Sequence, residues 1–203
     1  MRFIVLASSE FAPYARMCVD TIRHHHPTAR VVHMTGDDVD IGAEETWRSA
    51  KLDPKHPPTF IRERMALLAG MDEEPTAVLD ADTLVYKPLD DLWQHDFEVA
   101  LTWRPHQPTM PYNCGVMFLR GTRFPQALLA RMDAEPRYCE PFGDQEALAL
   151  EADSGRWRLR VLQCSEWNNS DVNNDCVPPA RIAHYKGARK EYMVRHYLRG
   201  VWK

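Results

Sequence analysis

Short apolar runs alternate with stretches of helical spacing along the whole of this 203-residue chain, and that alternation admits few folds. Residues 2–7 form a nearly continuous apolar run. A strand buried on both faces reads this way, because neither face turns to water. Residues 13–25 follow as a helix, with Tyr14, Met17, Cys18 and Ile22 on one side. Residues 30–34 predict a second strand, 59–71 a helix and 76–79 a third strand. Further strands are expected at 97–103, 115–119 and 158–162, with helices over 124–133, 144–151 and a basic one over 188–201. Such an order predicts an α/β sandwich with a mostly parallel central sheet flanked by helices. One domain over residues 1–203 is enough to bury a core of this size.

The third strand runs straight into Asp80-Ala81-Asp82. In open α/β sheets, ligands bind beyond the carboxyl ends of strands. Alternate residues of an extended segment point the same way, so both carboxylates can face one cation. Hard carboxylate oxygens suit Mg²⁺ or Mn²⁺, and an added imidazole favours Mn²⁺. Such an ion could neutralise charge on a departing diphosphate. An Asp-X-Asp also arises by chance as a turn or helix cap, and in haloacid dehalogenase phosphatases its first Asp is a nucleophile. That second use places the pair at the end of the first strand, whereas some 80 residues precede it here.

The remaining composition narrows the function. A net charge of −4 is a poor match to nucleic acid. No apolar run reaches the roughly 18 residues of a membrane span, and the apolar start turns polar at Ser8, too soon for a signal peptide. A cytoplasmic location is the expectation. The five cysteines are scattered with no CxxC pair, which predicts reduced thiols rather than a zinc site or disulfides. His24, His25 and His26 are expected at a solvated helix end. Residues 104–112 and 166–179, the latter with Asn168, Asn169, Asn173 and Asn174, are expected to be working loops.

Val78-Leu-Asp-Ala-Asp-Thr-Leu-Val85, followed by Pro88-Leu-Asp-Asp-Leu-Trp93, resembles glycosyltransferase family 8, the group of glycogenin and the bacterial lipopolysaccharide galactosyltransferases. Four more blocks resemble that family in the same order. They are Tyr112-Asn-Cys-Gly-Val-Met-Phe118, Gly143-Asp-Gln-Glu-Ala-Leu148, Trp167-Asn168 and His184-Tyr-Lys-Gly-Ala-Arg-Lys190. The resemblance implies a GT-A fold, a nucleotide diphosphate sugar (a UDP-hexose) as donor, and transfer with retention.

It also implies residue roles. Asp80, Asp82 and His184 would hold Mn²⁺ (or Mg²⁺). Ala7, Ser8, Ser9 and Tyr14 would meet the nucleoside. Arg64, with Arg62 as competitor, Ala81, Gly187 and Lys190 would meet the diphosphate side. Asn113 and Cys114 would surround the donor sugar, with Asp144 and Gln145 as the catalytic pair and Trp167 and Asn168 toward the acceptor. Gln145 is a weak nucleophile, which favours front-face substitution over double displacement. Cys114 stands in place of a small serine or alanine, and Glu191-Tyr192 in place of Pro-Trp. The acceptor is a glycan, a lipid-linked glycan or a protein. The basic, aromatic C-terminal tail is a candidate for peripheral membrane contact. A non-catalytic nucleotide-sugar binding protein is the alternative, since binding and chemistry share residues. A sugar nucleotidyltransferase would need a glycine-rich loop after the first strand, and Ala7-Ser-Ser-Glu10 has none.

Overall fold

A computed structural model describes residues 1–172 and 179–203. Its central sheet has seven strands. In chain order they are β1 (Arg2–Leu6), β2 (Arg30–Thr35), β3 (Glu45–Arg48), β4 (Pro75–Asp80), β6 (Val99–Trp103), β7 (Tyr112–Arg120) and β8 (Leu159–Gln163). Their spatial order is β3-β2-β1-β4-β7-β6-β8. Every neighbouring pair is parallel except the two that β7 makes, with β4 and with β6. The strands β5 (Thr83–Val85) and β9 (Ile182–His184) form a separate antiparallel pair.

Alternation along the strands divides the core. Phe3, Val5, Ala77, Leu79, Val116 and Phe118 face one side, where α1 (Ala12–His25) adds Ala15, Cys18, Val19 and Ile22. Ile4, Val32, Val78, Leu101, Met117 and Leu119 face the other side. There they meet α2 (Pro57–Ala69), α3 (Arg123–Ala134) and α4 (Gly143–Ala152). Strands covered on both faces explain the unbroken apolar runs. A smaller cluster joins β5 and β9 to α6 (Lys190–Leu198) through Leu84, Ala183, Tyr185, Met193 and Trp202. Among the described residues, no helix is long and apolar enough to cross a membrane.

Three strands differ from the sequence expectation. β3 is a half-exposed edge strand of mixed polarity, and β5 and β9 have three residues each, too few for any periodicity. β7 begins at Tyr112, so it absorbs the end of the expected loop after Arg104. A short helix, α5 (Cys164–Trp167), opens the other expected loop; Asn173, Asn174 and Cys176 lie outside the described residues. The histidine run is less solvated than expected. His26 is buried, accepting from the Leu89 amide at 3.1 Å, and His25 Nε2 lies 2.9 Å from the Trp202 carbonyl. The C-terminal tail docks on α1: Tyr197 donates to Asp20 and stacks on Trp202.

Candidate functional site

β4 ends at Asp80, and β5 restarts the chain at Thr83. The turn between them projects Asp80 and Asp82, held by Thr83 Oγ1 donating to the Asp80 carbonyl at 2.9 Å. Antiparallel pairing of β5 with β9 sets Thr83 opposite His184. This brings a residue from far along the chain beside the acidic pair. The His184 Nε2 lies 3.0 Å from Asp82 Oδ1 and 3.6 Å from Asp80 Oδ2. Ligand atoms of all three lie within 4.8 Å of one another.

This donor set fits one hard divalent cation. Adjacent ligands on a cation at about 2.1 Å stand roughly 3 Å apart in an octahedron, close to the separations seen. The backbone makes room for them. A Cβ on Gly115 would clash with the Asp80 carboxylate, the His184 ring and the Asn113 amide oxygen. Glycine at that point of β7 is therefore a requirement of close approach. Burial raises the Asp82 carboxyl, but the His184 and Lys190 contacts outweigh it and hold the group down to about 2. Asp82 is thus ionised and available as a ligand.

His184 is oriented from behind. Its Nδ1 lies 2.9 Å from Asn168 Oδ1, so Nδ1 donates the hydrogen and Nε2 presents a lone pair to the carboxylates when the ring is neutral. Asn168 Nδ2 in turn donates to Thr102 Oγ1 and Asn113 Oδ1, both at 2.9 Å. Asn113 Nδ2 donates to Gln145 Oε1 at 3.3 Å. A chain of amides therefore links Gln145 on α4 to the imidazole on β9.

Positive charge surrounds the acidic pair. Lys190, at the first turn of α6, is 2.7 Å from Asp82 Oδ2 and lies over the Phe11 ring. Arg64 is buried on α2, 3.5 Å from Asp80 Oδ1, and donates to the Cys114 carbonyl at 2.7 Å. Arg62 points elsewhere, to Asp133 at 2.7 Å on the surface. Asp144 receives the Cys114 thiol; burial raises its carboxyl above the usual range, against the pull of Arg64. Burial also pushes the Cys114 thiol well up.

The cleft in front of these groups has a volume of about 400 Å³, bordered by Asp80, Asp82, Asn113, Gln145, His184 and Gly187. Arg104 and Lys186 line it too. Burial lowers Lys186, and the Arg104 guanidinium adds to that. Sequence reasoning gave no role to Arg104 or to Gly115, and it left Lys186 as a residue of the His184–Lys190 block with no role of its own. Gly115 had a signal, as the glycine that follows Asn113-Cys114 in the block that carries the resemblance. Arg104 had none beyond its place at a loop start.

The other expected residues are spread wider. Ala7, Ser8 and Ser9 follow β1 on the same edge of the sheet as Asp80, which pairs with Leu6. The Ala7 carbonyl accepts from His33 at 3.0 Å, and the Ser9 amide donates to Asp37 at 2.6 Å. Tyr14 packs partly buried against the small β5–β9–α6 cluster, its ring 6.4 Å from Phe11. Ala81 is buried between the two aspartates. Gly187 has φ +61 with open space about its α-carbon, a conformation only glycine takes freely. Trp167 and Asn168 differ from expectation. Trp167 is 7% exposed, edge-on to Phe118 and beneath Arg181, so it belongs to the core. Asn168 is 0% exposed and works behind the imidazole, out of reach of an acceptor.

No protein-family model matches the chain, and no curated protein matches it in sequence. Solved structures do match its fold. The galactosyltransferase LgtC, in complex with donor and acceptor sugar analogs, is 14% identical with a TM-score of 0.66, over 93% of this chain and 88% of that one. The glycosyltransferase GlyE of Streptococcus pneumoniae TIGR4 is 14% identical with a TM-score of 0.68, over 98% of this chain and 64% of that one. This chain therefore spans just under two thirds of GlyE. A glycosyltransferase involved in the glycosylation of the major capsid of PBCV-1 is 15% identical with a TM-score of 0.64, over 96% of this chain and 99% of that one. The fold is the GT-A fold of such glycosyltransferases. A shared fold of this kind leaves the chemistry to be argued from the site.

Proposed function

We propose that the chain is a metal-dependent glycosyltransferase of the family 8 kind, transferring a hexose from a UDP-sugar with retention at the anomeric carbon. One observation supports this above the rest. Asp80, Asp82 and His184 meet within 4.8 Å although the imidazole is a hundred residues from the carboxylates. A Gly115 without a Cβ makes that meeting possible. Asp80, Asp82 and His184 would hold Mn²⁺ or Mg²⁺, which supplies charge neutralisation at the departing diphosphate.

The chain's own groups supply the rest. Lys190 and Arg64 stabilise the negative charge that grows on the diphosphate. Asp144 accepts from hydroxyls of the transferred sugar. Gln145 has its side-chain oxygen engaged by Arg104 at 2.8 Å and by Asn113, which suits a positioning amide better than a nucleophile. The acceptor hydroxyl therefore attacks from the face the diphosphate leaves. The new oxygen–carbon bond forms as the anomeric carbon–phosphate oxygen bond breaks, its electron pair leaves with the diphosphate, and a phosphate oxygen takes the hydroxyl proton. Positioning provides much of the acceleration in such a step.

With Trp167 and Asn168 buried, the acceptor has to lie elsewhere. A depression of about 470 Å³ adjoins the cleft through Arg104 and Gln107 and is bordered by Trp103, Gln163, Ser165 and Asn169. Trp103 is 44% exposed, an apolar face of the sort that a sugar ring covers. The test is a panel of nucleotide sugars with Mn²⁺, scored for thermal stabilisation and slow donor hydrolysis. Hydrolysis of one UDP-hexose is the expected result. Stabilisation without turnover would favour the non-catalytic binding protein, and the absence of both would end the reading.

A further inference from the structure

Four cations stand around the acidic pair and the cleft in front of it, and only two of them reach a carboxylate within ion-pair distance. Arg64 has Asp80 at 3.5 Å and Lys190 has Asp82 at 2.7 Å. Arg104 and Lys186 line the same space, and among the described residues neither has an acidic group within ion-pair distance. Arg104 uses one amino group on neutral acceptors alone: the Met110 carbonyl, the Tyr112 carbonyl at 2.8 Å and Gln145 Oε1 at 2.8 Å. Its Nε is buried with no partner. The Lys186 ammonium makes no hydrogen bond or ion pair among the described residues.

A diphosphate does not account for this pair. On the reading above, the diphosphate is met by a divalent cation with Lys190 and Arg64. Arg104 instead donates to the amide oxygen of Gln145, the residue that on the same reading faces the sugar. Two cations beside a neutral hexose would be desolvated without compensation. A planar guanidinium next to an ammonium is instead a good receptor for a carboxylate.

We propose that Arg104 and Lys186 form an anion subsite on the sugar side of the cleft, and that the saccharide bound there bears a carboxylate. This rests on the glycosyltransferase reading. The carboxylate comes either from the transferred sugar, a uronic acid, or from the first sugar of the acceptor.

Both sources are open to one experiment on the full chain with Mn²⁺. Binding of UDP, UDP-glucose and UDP-glucuronate is measured by calorimetry for the wild type, Lys186→Gln and Lys186→Arg. A second arm follows transfer to aryl glucoside and aryl glucuronide acceptors. The wild type is expected to favour the charged sugar by about tenfold in one arm, and that arm identifies the source. In Lys186→Gln the charged-to-neutral ratio falls toward one, and in Lys186→Arg it returns. Because the readout is a ratio, a general loss of activity does not mimic it. Binding of UDP with no charge preference in either arm, or a ratio unchanged in Lys186→Gln, overturns the anion subsite alone. Failure of UDP to bind at all overturns the glycosyltransferase reading and the subsite with it.

Discussion

Helix α4 has a charged cluster at each end, and the two are built on opposite principles. Near its C-terminus, Glu151 is 0% exposed and wholly enclosed by donors of its own chain. Arg131 meets it at 3.1 Å, Trp157 Nε1 at 2.9 Å, and Arg156 pairs with it too. At the N-terminus, Gln145 opens onto a cleft where carboxylates crowd one imidazole and two cations lack an acid within ion-pair distance. The first cluster is complete in the folded chain. The second crowds two paired carboxylates onto one imidazole and leaves two cations without an acid, and a ligand is the natural remedy. A buried charge left without compensation is costly, so a fold keeps such charges only where something else arrives to meet them.

The largest effect that can test this contrast is at the open end. Asp82→Ala is expected to lower turnover by at least 10²–10³-fold, the scale of losing one preorganised charge contact at a developing anion. Its circular dichroism and unfolding midpoint should stay near those of the wild type, since the change also relieves crowding with Asp80. A folded variant with near-normal turnover would end the metal-site idea. At the closed end the expectation inverts. Glu151→Ala should cost about 1.5–3 kcal/mol of stability in urea unfolding, because Arg131, Arg156 and Trp157 Nε1 lose their shared charged acceptor, and any drop in specific activity should track the unfolded fraction. A cost below about 1 kcal/mol would mean that the arginines simply turn to solvent, and the distinction between the two ends would blur.

Between these lies the residue that joins the site to the scaffold. Asn168→Ala removes the acceptor that fixes the His184 tautomer, and a loss of 10–100-fold in Mn²⁺ affinity is expected, as for other partners behind a ligand imidazole. Titration of the metal by calorimetry checks it. Unchanged affinity would reduce Asn168 to a packing residue.

Asn168 also shows where the sequence stopped being legible. The strands β1, β2 and β4 could be read because burial on both faces removes polar residues from them. The acidic pair could be read because it stands where a strand ends. β3 could not, since an edge strand half in water keeps Glu45, Thr46 and Arg48, and nothing apolar repeats. The block with Trp167 and Asn168 was visible, yet its role was not, because the role depends on β9 and α5 approaching across the sheet edge. Gly115, Arg104 and Lys186 have the same difficulty: each matters through neighbours that only the folded chain supplies. Five ordered blocks located the site, while the direction of each side chain had to come from three dimensions.

The smallest effect separates two arginines about half a helical turn apart. Arg62 and Arg64 were competitors for one role on α2, and helical geometry forbids residues two apart from sharing a face. Arg62 pairs with Asp133 at 2.7 Å, with both side chains nearly half exposed. An exposed pair of this kind contributes roughly 0–1 kcal/mol. Arg62→Ala should therefore shift the unfolding free energy by less than about 1 kcal/mol and leave donor affinity where it was. Arg64 lies buried between Asp80 and the Cys114 carbonyl, with its Nε unpartnered, so Arg64→Ala is expected to weaken UDP-sugar binding in the same calorimetric assay. If Arg62→Ala proved the more damaging to donor binding, α2 would have to present its other face to the ligand, and the arrangement of charge around Asp80 would have been misread.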